Sequence, residues 1–219
     1  GMFTHLATAD VADTQFAQQQ VSTFTRAVEQ VRALEIEVRH VHISNSASAI
    51  RRLDTGVGCT MTRVGIAMYG IPGDATTNSF GAAHQLDLLP VMSVHARVSH
   101  VQRVAAGQGV SYGLKRPLES ESTIATLPLG YADGVPRGIW ESGSVLVRGT
   151  RRAFAGVVTM DQILVNCADD AVGIGDEVVL IGTQGSELIT ANEWANKMGT
   201  IGYEIVCAIS ARMPRNYIN

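Results

Sequence analysis

The chain has 219 residues, of which 46% are hydrophobic and 17% charged, with a formal net charge of −3 at pH 7. That length and apolar fraction suffice for one large or two small domains with buried cores. The balance excludes a basic nucleic-acid surface, since Arg51-Arg52 and Arg151-Arg152 are isolated pairs, and no apolar run approaches the roughly 20 residues that span a bilayer.

In chain order, Phe3 to Ala9 is a short apolar run that predicts a strand. Asp13 is a candidate N-cap for a helix in which Phe24, Ala27, Val28, Val31 and Leu34 recur at three- and four-residue spacing. Val38 to Ile43 predicts the next strand, Ser44 or Asn45 a cap for a short helix over Ala47 to Leu53, and Met61 to Tyr69 a third strand. Strand and helix alternating in this order predict parallel βα units. Three such units cannot close an eight-stranded barrel, which takes about 250 residues.

From Ile71 to Pro90 the pattern breaks into Gly, Pro, Thr, Asn and Ser, which marks a linker. Beyond it the chain is mostly β. Val94, Ala96 and Val98 alternate with His95, Arg97 and Ser99, as a half-buried strand requires. Further strands are predicted at Ile124–Leu127, Val145–Arg148, Ala155–Val158, Ile163–Cys167 and Val178–Ile181. One helix interrupts them, where Thr190 and Glu193 have capping-box spacing ahead of Trp194 and Met198. Two domains follow, residues 1–89 and 90–219. Cys59, Cys167 and Cys207 are an odd number without CxxC spacing, which fits free thiols better than a metal or disulfide role. Gly1-Met2-Phe3-Thr4-His5 lacks the charged and apolar regions of a signal peptide, so a cytoplasmic location is expected.

Four segments carry chemistry. Tyr131 stands in Leu129-Gly130-Tyr131-Ala132-Asp133-Gly134, a Gly-rich turn after an apolar stretch, with Pro136 and Arg137 behind it. Read alone, it is a tyrosine closing a turn. Arg63-Val64-Gly65-Ile66-Ala67-Met68-Tyr69-Gly70 precedes it, Met160-Asp161-Gln162 follows, and Tyr203 lies near the C-terminus. In that order, from Thr4 to Arg215, these segments resemble the C-terminal portion of alanine racemase, a family that uses pyridoxal 5'-phosphate.

The resemblance implies an α/β plus β fold. Residues 1–89 would be about the last three βα units of a partial (β/α)8 barrel, and residues 90–219 a mostly β C-terminal domain. It also implies roles. Ser46, the Gly65 and Ile66 amides and the Tyr203 hydroxyl would hold the cofactor phosphate, by the anion-binding logic of a helix start. Read alone, Ser46 is a helix-start serine and Tyr203 a core tyrosine. Arg63, otherwise a surface arginine, would face the pyridine nitrogen. A guanidinium, with a pKa above about 12, donates a hydrogen bond without surrendering its proton. Tyr131 would be one of two bases at the α-carbon. Free tyrosine titrates near about pH 10 and needs help to act at neutral pH. The family supplies it through a histidine, matched here by His5 in Thr4-His5-Leu6-Ala7. His42 matches a second histidine near the ring. The Met160 amide would meet the substrate carboxylate, from the partner in a homodimer with shared sites; Asp161 beside it is structural.

The only lysines are Lys115 and Lys197. Neither stands in the family's Lys-Ala-Asn/Asp-Ala-Tyr-Gly motif, which carries the Schiff-base lysine and the second base. The residues that bind and orient the substrate carboxylate are absent as well. The implied function is therefore part of a bacterial alanine racemase supplying D-alanine for peptidoglycan, inactive as this chain alone. The implied partners are L- and D-alanine and the missing N-terminal barrel segment. A racemase for serine and a non-catalytic β module for binding or dimerisation are the alternatives. A related basic-amino-acid decarboxylase is disfavoured because no Cys-Glu-Ser-x-Asp segment occurs.

Overall fold

Two short strands, β1 (Met2–Phe3) and β2 (Val41–His42), pair in parallel, with Met2 opposite Val41 and Phe3 opposite His42. Parallel neighbours need a crossover, and the 19-residue helix α1 (Gln15–Ala33) supplies it. The computed structural model describes residues 1–54, 56–72 and 86–218. It divides into two compact units, Gly1–Val91 and Met92–Asn219. Most of the expected linker, residues 73–85, lies outside the described residues.

In the first unit α1 buries Ala17, Phe24 and Val28 on one face, against Leu6, Ala9, Val41, Ile43, Ala47 and Val57. The second helix, α2 (Ser46–Arg51), starts at Asn45, whose side chain accepts from the Ser48 amide at 2.9 Å. Such a cap contributes about 1 kcal/mol. Of the two candidate caps, Asn45 is the one used. Ser44 instead turns inward, donating to Asp54 Oδ2 at 2.7 Å beside Ser48.

Several strand boundaries differ from expectation. Of Phe3–Ala9 only Phe3 is in a strand. The rest turns, because the Gln20 side chain takes the Ala7 amide at 2.9 Å and Arg51 gathers the carbonyls of Ala9, Val11 and Ala12. Leu6 and Ala9 are apolar because they plug the core from a turn. Asp13 does not cap α1 from the N-cap position, which Thr14 occupies, but its carboxylate takes the Gln15 amide at 2.9 Å. The helix ends one residue short of Leu34, which is exposed.

The third strand, Met61–Tyr69, is not formed. Thr60 and Arg63 donate to Val41 O and Ser44 O at 2.8 and 3.0 Å, so the chain runs beside β2. It bends at Gly65 (φ −125°, ψ −90°) into a 3-10 turn, Ile66–Tyr69. Ser46 Oγ causes the bend by accepting the Gly65 and Ala67 amides at 3.0 and 3.3 Å.

The second unit is antiparallel. One sheet takes the order β10 (Glu187–Ile189), β9 (Glu177–Gln184), β6 (Ser144–Val147), β7 (Thr150–Ala153), with β3 (Val94–Arg97) also paired to β9. The other is β4 (His100–Val104), β5 (Ser122–Leu127), β8 (Ile163–Asn166). Every residue of β5 is buried, as a central strand covered on both faces must be. Arg148 and Gly149 both hold positive φ (52° and 74°), the backbone of a tight hairpin turn, so β6 ends at Val147 rather than Arg148.

Ala155–Val158 is buried but forms no strand. Gly156 at φ 112° breaks the line, leaving a single bridge from Phe154 to Val165. Thr190 caps α3 (Ala191–Met198), accepting the Glu193 amide at 3.0 Å, and α3 drives Trp194 into the core edge-on to Phe154. A further helix, α4 (Gly202–Ala208), follows.

Candidate active site

The expected site residues form two groups, one in each unit. In the first unit Arg63 is the hub. Its Nη1 donates to His42 Nδ1 at 2.5 Å. Its Nη2 donates to Thr4 O, His5 Nδ1 and Ile43 O at 3.0, 3.2 and 3.4 Å. A guanidinium only donates, so both histidines present Nδ1 as an acceptor and the neutral His42 ring keeps its hydrogen on Nε2. Burial, then the Arg63 charge and that of His40, hold the His42 pKa below its ordinary value. Phe3 completes the group. Its ring stacks on His42 at 5.2 Å between centroids, within 3° of parallel, and lies 5.5 Å from the guanidinium carbon. The Arg63 Nε–H has no acceptor among the described residues.

β1, β2 and the 61–65 segment lie side by side, which is why residues 3, 5, 42 and 63 converge. The phosphate-type site is beside them. Ser46 is buried, and its hydroxyl oxygen already accepts two amides, so its own hydrogen remains to be donated. The Ile66 amide opens the 3-10 turn and has no acceptor among the described residues. A Cβ placed on Gly65 would meet no atom of the described residues within 4 Å beyond its own chain neighbours, so the space beside this turn is open. A donor set of hydroxyl and turn amides with open space fits an anion.

In the second unit Tyr131 begins a 3-10 turn, Tyr131–Asp133. The turn is locked to the segment that carries Met160: Tyr131 and Ala132 donate to Thr159 O and Met160 O at 2.9 and 3.1 Å. Asp133, buried, takes the Gly130 amide at 2.8 Å and pairs with Arg212 at 3.3 Å. Asp161 also pairs with Arg212, at 2.7 Å. The Met160 amide has no acceptor among the described residues, and the Tyr131 ring is 42% exposed beside a cavity of about 340 Å³ lined also by Gly134, Arg137, Glu204 and Ile205. Tyr203 is half-buried in the first turn of α4.

Sequence reasoning passed over two of these residues. Phe3 and Asn45 touch the histidines, Asn45 through Nδ2 at 3.4 Å from His5 Nε2. Tyr112 opens the 3-10 turn Tyr112–Leu114 with its ring 73% exposed, directly after Ser111, whose backbone is strained (φ 64°, ψ −177°). Like the Tyr131 segment, Ser111-Tyr112-Gly113 is a tyrosine in a Gly-containing turn. Among the described residues no group of three or more His, Cys, Asp or Glu is placed to hold a metal ion, and no helix is long and apolar enough to cross a membrane.

A parallel βα unit is thus followed by a β-rich antiparallel unit, each with its own cluster of polar turns. The solved structure of alanine racemase from Bacillus anthracis with bound L-Ala-P matches the whole chain with a TM-score of 0.91 at 37% identity, covering 55% of that protein. That of E. faecalis alanine racemase matches with a TM-score of 0.87 at 39% identity, over all of this chain and 56% of that one.

The family models described as alanine racemase, N-terminal domain and C-terminal domain match residues 1–72 and 91–217. The chain belongs to the alanine racemase family. The alanine racemase of Halothermothrix orenii is 41% identical over 220 residues, all of this chain and 56% of the relative. That of Symbiobacterium thermophilum is 43% identical over 218 residues, 99% of this chain and 56% of the relative. The chain thus spans little more than half the length of the relatives it matches.

Proposed function

We propose that this chain is the C-terminal part of a cytoplasmic, pyridoxal-phosphate-dependent alanine racemase that interconverts L- and D-alanine for the cell wall. In this reading residues 1–89 are the last part of a (β/α)8 barrel and residues 90–219 the C-terminal β domain. The enzyme is a homodimer with shared sites. The observation that carries the reading is the Arg63 hub, with two histidine acceptors and an Nε–H without an acceptor among the described residues, beside the donor set of Ser46, Gly65 and Ile66.

Bound there, pyridoxal 5'-phosphate supplies an electron sink for the carbanion left when the α-proton departs. The Ser46 hydroxyl and the Gly65–Ile66 turn would hold its phosphate. Arg63 would offer the ring nitrogen a donor that keeps its proton, with His42 Nδ1 accepting from its Nη1. His5, held by Arg63 and Asn45, orients the tyrosine that moves the proton. The Met160 amide receives the substrate carboxylate.

The sequence motif assigns the acid-base role to Tyr131. A specific observation favours Tyr112: strained backbone concentrates at functional sites, and Ser111 beside Tyr112 is strained while the turn of Tyr131 begins from extended backbone at Gly130. Tyr131 then lines the substrate side. In the complete enzyme the tyrosine that is the base, changed to Phe, loses about 10²–10⁴-fold in racemisation in both directions. Exchange of the α-proton survives for the enantiomer served by the opposite base. Loss in Tyr131→Phe with none in Tyr112→Phe returns the role to Tyr131, and near-normal racemisation in both removes the two-base assignment.

This chain alone is expected to be inactive and to bind the cofactor weakly and without a covalent bond. Lys115 follows the exposed turn after Ser111, and Lys197 pairs with Glu193 at 3.0 Å. Incubation with pyridoxal 5'-phosphate, borohydride reduction and intact-mass measurement should give no stoichiometric adduct. A single stoichiometric adduct on either lysine refutes the reading of this chain as lacking its own cofactor lysine.

A further inference from the structure

The loop between β4 and β5 is closed at its base by backbone, tied by Arg116 to Glu141 O at 2.8 Å and to the Trp140 ring, and held at its tip by the Ser111 side chain. At the base the Gly107 and Leu118 amides donate to Leu118 O and Gln108 O at 2.8 and 2.9 Å, and Gly109 bridges Pro117. At the tip Ser111, Gly113 and Leu114 all hold positive φ, at 64°, 75° and 46°. Ser111, with ψ −177°, occupies a region that is essentially glycine-only. What a glycine would lack there is the hydroxyl, and Ser111 Oγ donates to Val157 O at 2.6 Å. Gly156 permits the approach: a Cβ there would fall 2.6 Å from Val110 O and 3.1 Å from Ser111 Cβ. The tip is thereby tied to the segment that leads into Met160, while the Tyr112 ring, 73% exposed, has little packing of its own to hold it.

We infer that Ser111 is a positioning residue. Its hydroxyl, through Val157 O, fixes the direction in which the Tyr112 phenol leaves the loop. The inference rests on the reading of Tyr112 as the acid-base group.

Ser111→Gly removes the hydroxyl and relaxes the backbone; Ser111→Ala removes the hydroxyl alone. In the complete enzyme both should lower kcat by about 10–100-fold with KM changed less than about threefold, because a displacement near 1 Å can cost about 10²-fold. The loss should fall on one face, leaving α-proton exchange intact for the enantiomer served by the opposite base. Ser111→Gly should melt with the parent, which separates this effect from unfolding. In this chain by itself, carbon-13 tyrosine NMR should show the Tyr112 ring more mobile in both variants and Tyr131 unchanged. Wild-type kcat in Ser111→Gly alongside a crippled Tyr112→Phe overturns the inference alone. Wild-type turnover in Tyr112→Phe overturns the base assignment and this inference with it.

Discussion

Replacing Gly130 by alanine tests whether the turn of Tyr131 is built by close approach. Its φ is −158°, ordinary extended backbone, so a side chain costs nothing in conformation. The cost is space: a Cβ would fall 2.1 Å from Thr159 O and 2.5 Å from Met160 O. The turn must move off that segment and stretch the hydrogen bonds from Tyr131 and Ala132, now 2.9 and 3.1 Å. Overpacking costs about 1–3 kcal/mol and each hydrogen bond about 0.5–1.5 kcal/mol, so about 2–6 kcal/mol is expected. For a unit of this size that lowers the melting temperature on the order of 10 °C or more.

Trp140 and Trp194 are the only tryptophans and both lie in the second unit, so intrinsic fluorescence follows that unit alone. Gly173→Ala is the control, since a Cβ there meets nothing within 4 Å. It should be neutral or stabilise by up to about 1 kcal/mol. A Gly130→Ala protein that melts with the Gly173→Ala control would falsify the close-approach argument.

Further outcomes follow from the site and the core. His42 is held below its ordinary pKa of 6.5, first by burial and then by Arg63. As pH falls past the ordinary value the unfolded chain takes up a proton that the folded chain still refuses. The His42 contribution to stability, full at higher pH, is therefore lost through that window. Imidazole NMR on Arg63→Gln should show the His42 pKa rising only part of the way back, since burial remains, and an unmoved titration refutes the Arg63 contribution. Among the thiols, Cys207 is exposed, Cys59 is half-buried and pushed up by burial and Asp54, and Cys167 is buried and pushed up to about 11. A thiol reagent at mildly alkaline pH should label Cys207 first and Cys167 only as the second unit unfolds, and early labelling of Cys167 contradicts its burial. Thr190→Ala should cost about 1 kcal/mol through the lost α3 cap, read by the same tryptophan fluorescence.

Where local chemistry decides structure, the sequence was sufficient. The Thr190 and Glu193 spacing places α3, Asn45 starts α2, the spacing of Phe24 and Val28 places α1, and the alternation from Val94 places β3. The order of motifs around Arg63, Tyr131, Met160 and Tyr203 was likewise enough for the family. Where a distant group competes for the backbone, it was not. Met61–Tyr69 has strand composition, yet the Ser46 hydroxyl takes the Gly65 and Ala67 amides and bends it. Ala155–Val158 is apolar because it is buried, while Gly156 keeps it out of a ladder. β4, with His100, Gln102 and Arg103, carries no apolar pattern and exists because β5 needs a neighbour.

The same distinction governs the site. Sequence could nominate Arg63, His5 and His42 but not join them; their contact depends on β1 and β2 lying in parallel register beside residues 61–65. It nominated Tyr131 in its glycine turn and passed over Tyr112 in another. The proposal for Tyr112 rests on tertiary structure, because strain at Ser111 and its bond to Val157 arise from residues far apart in the chain and close in space.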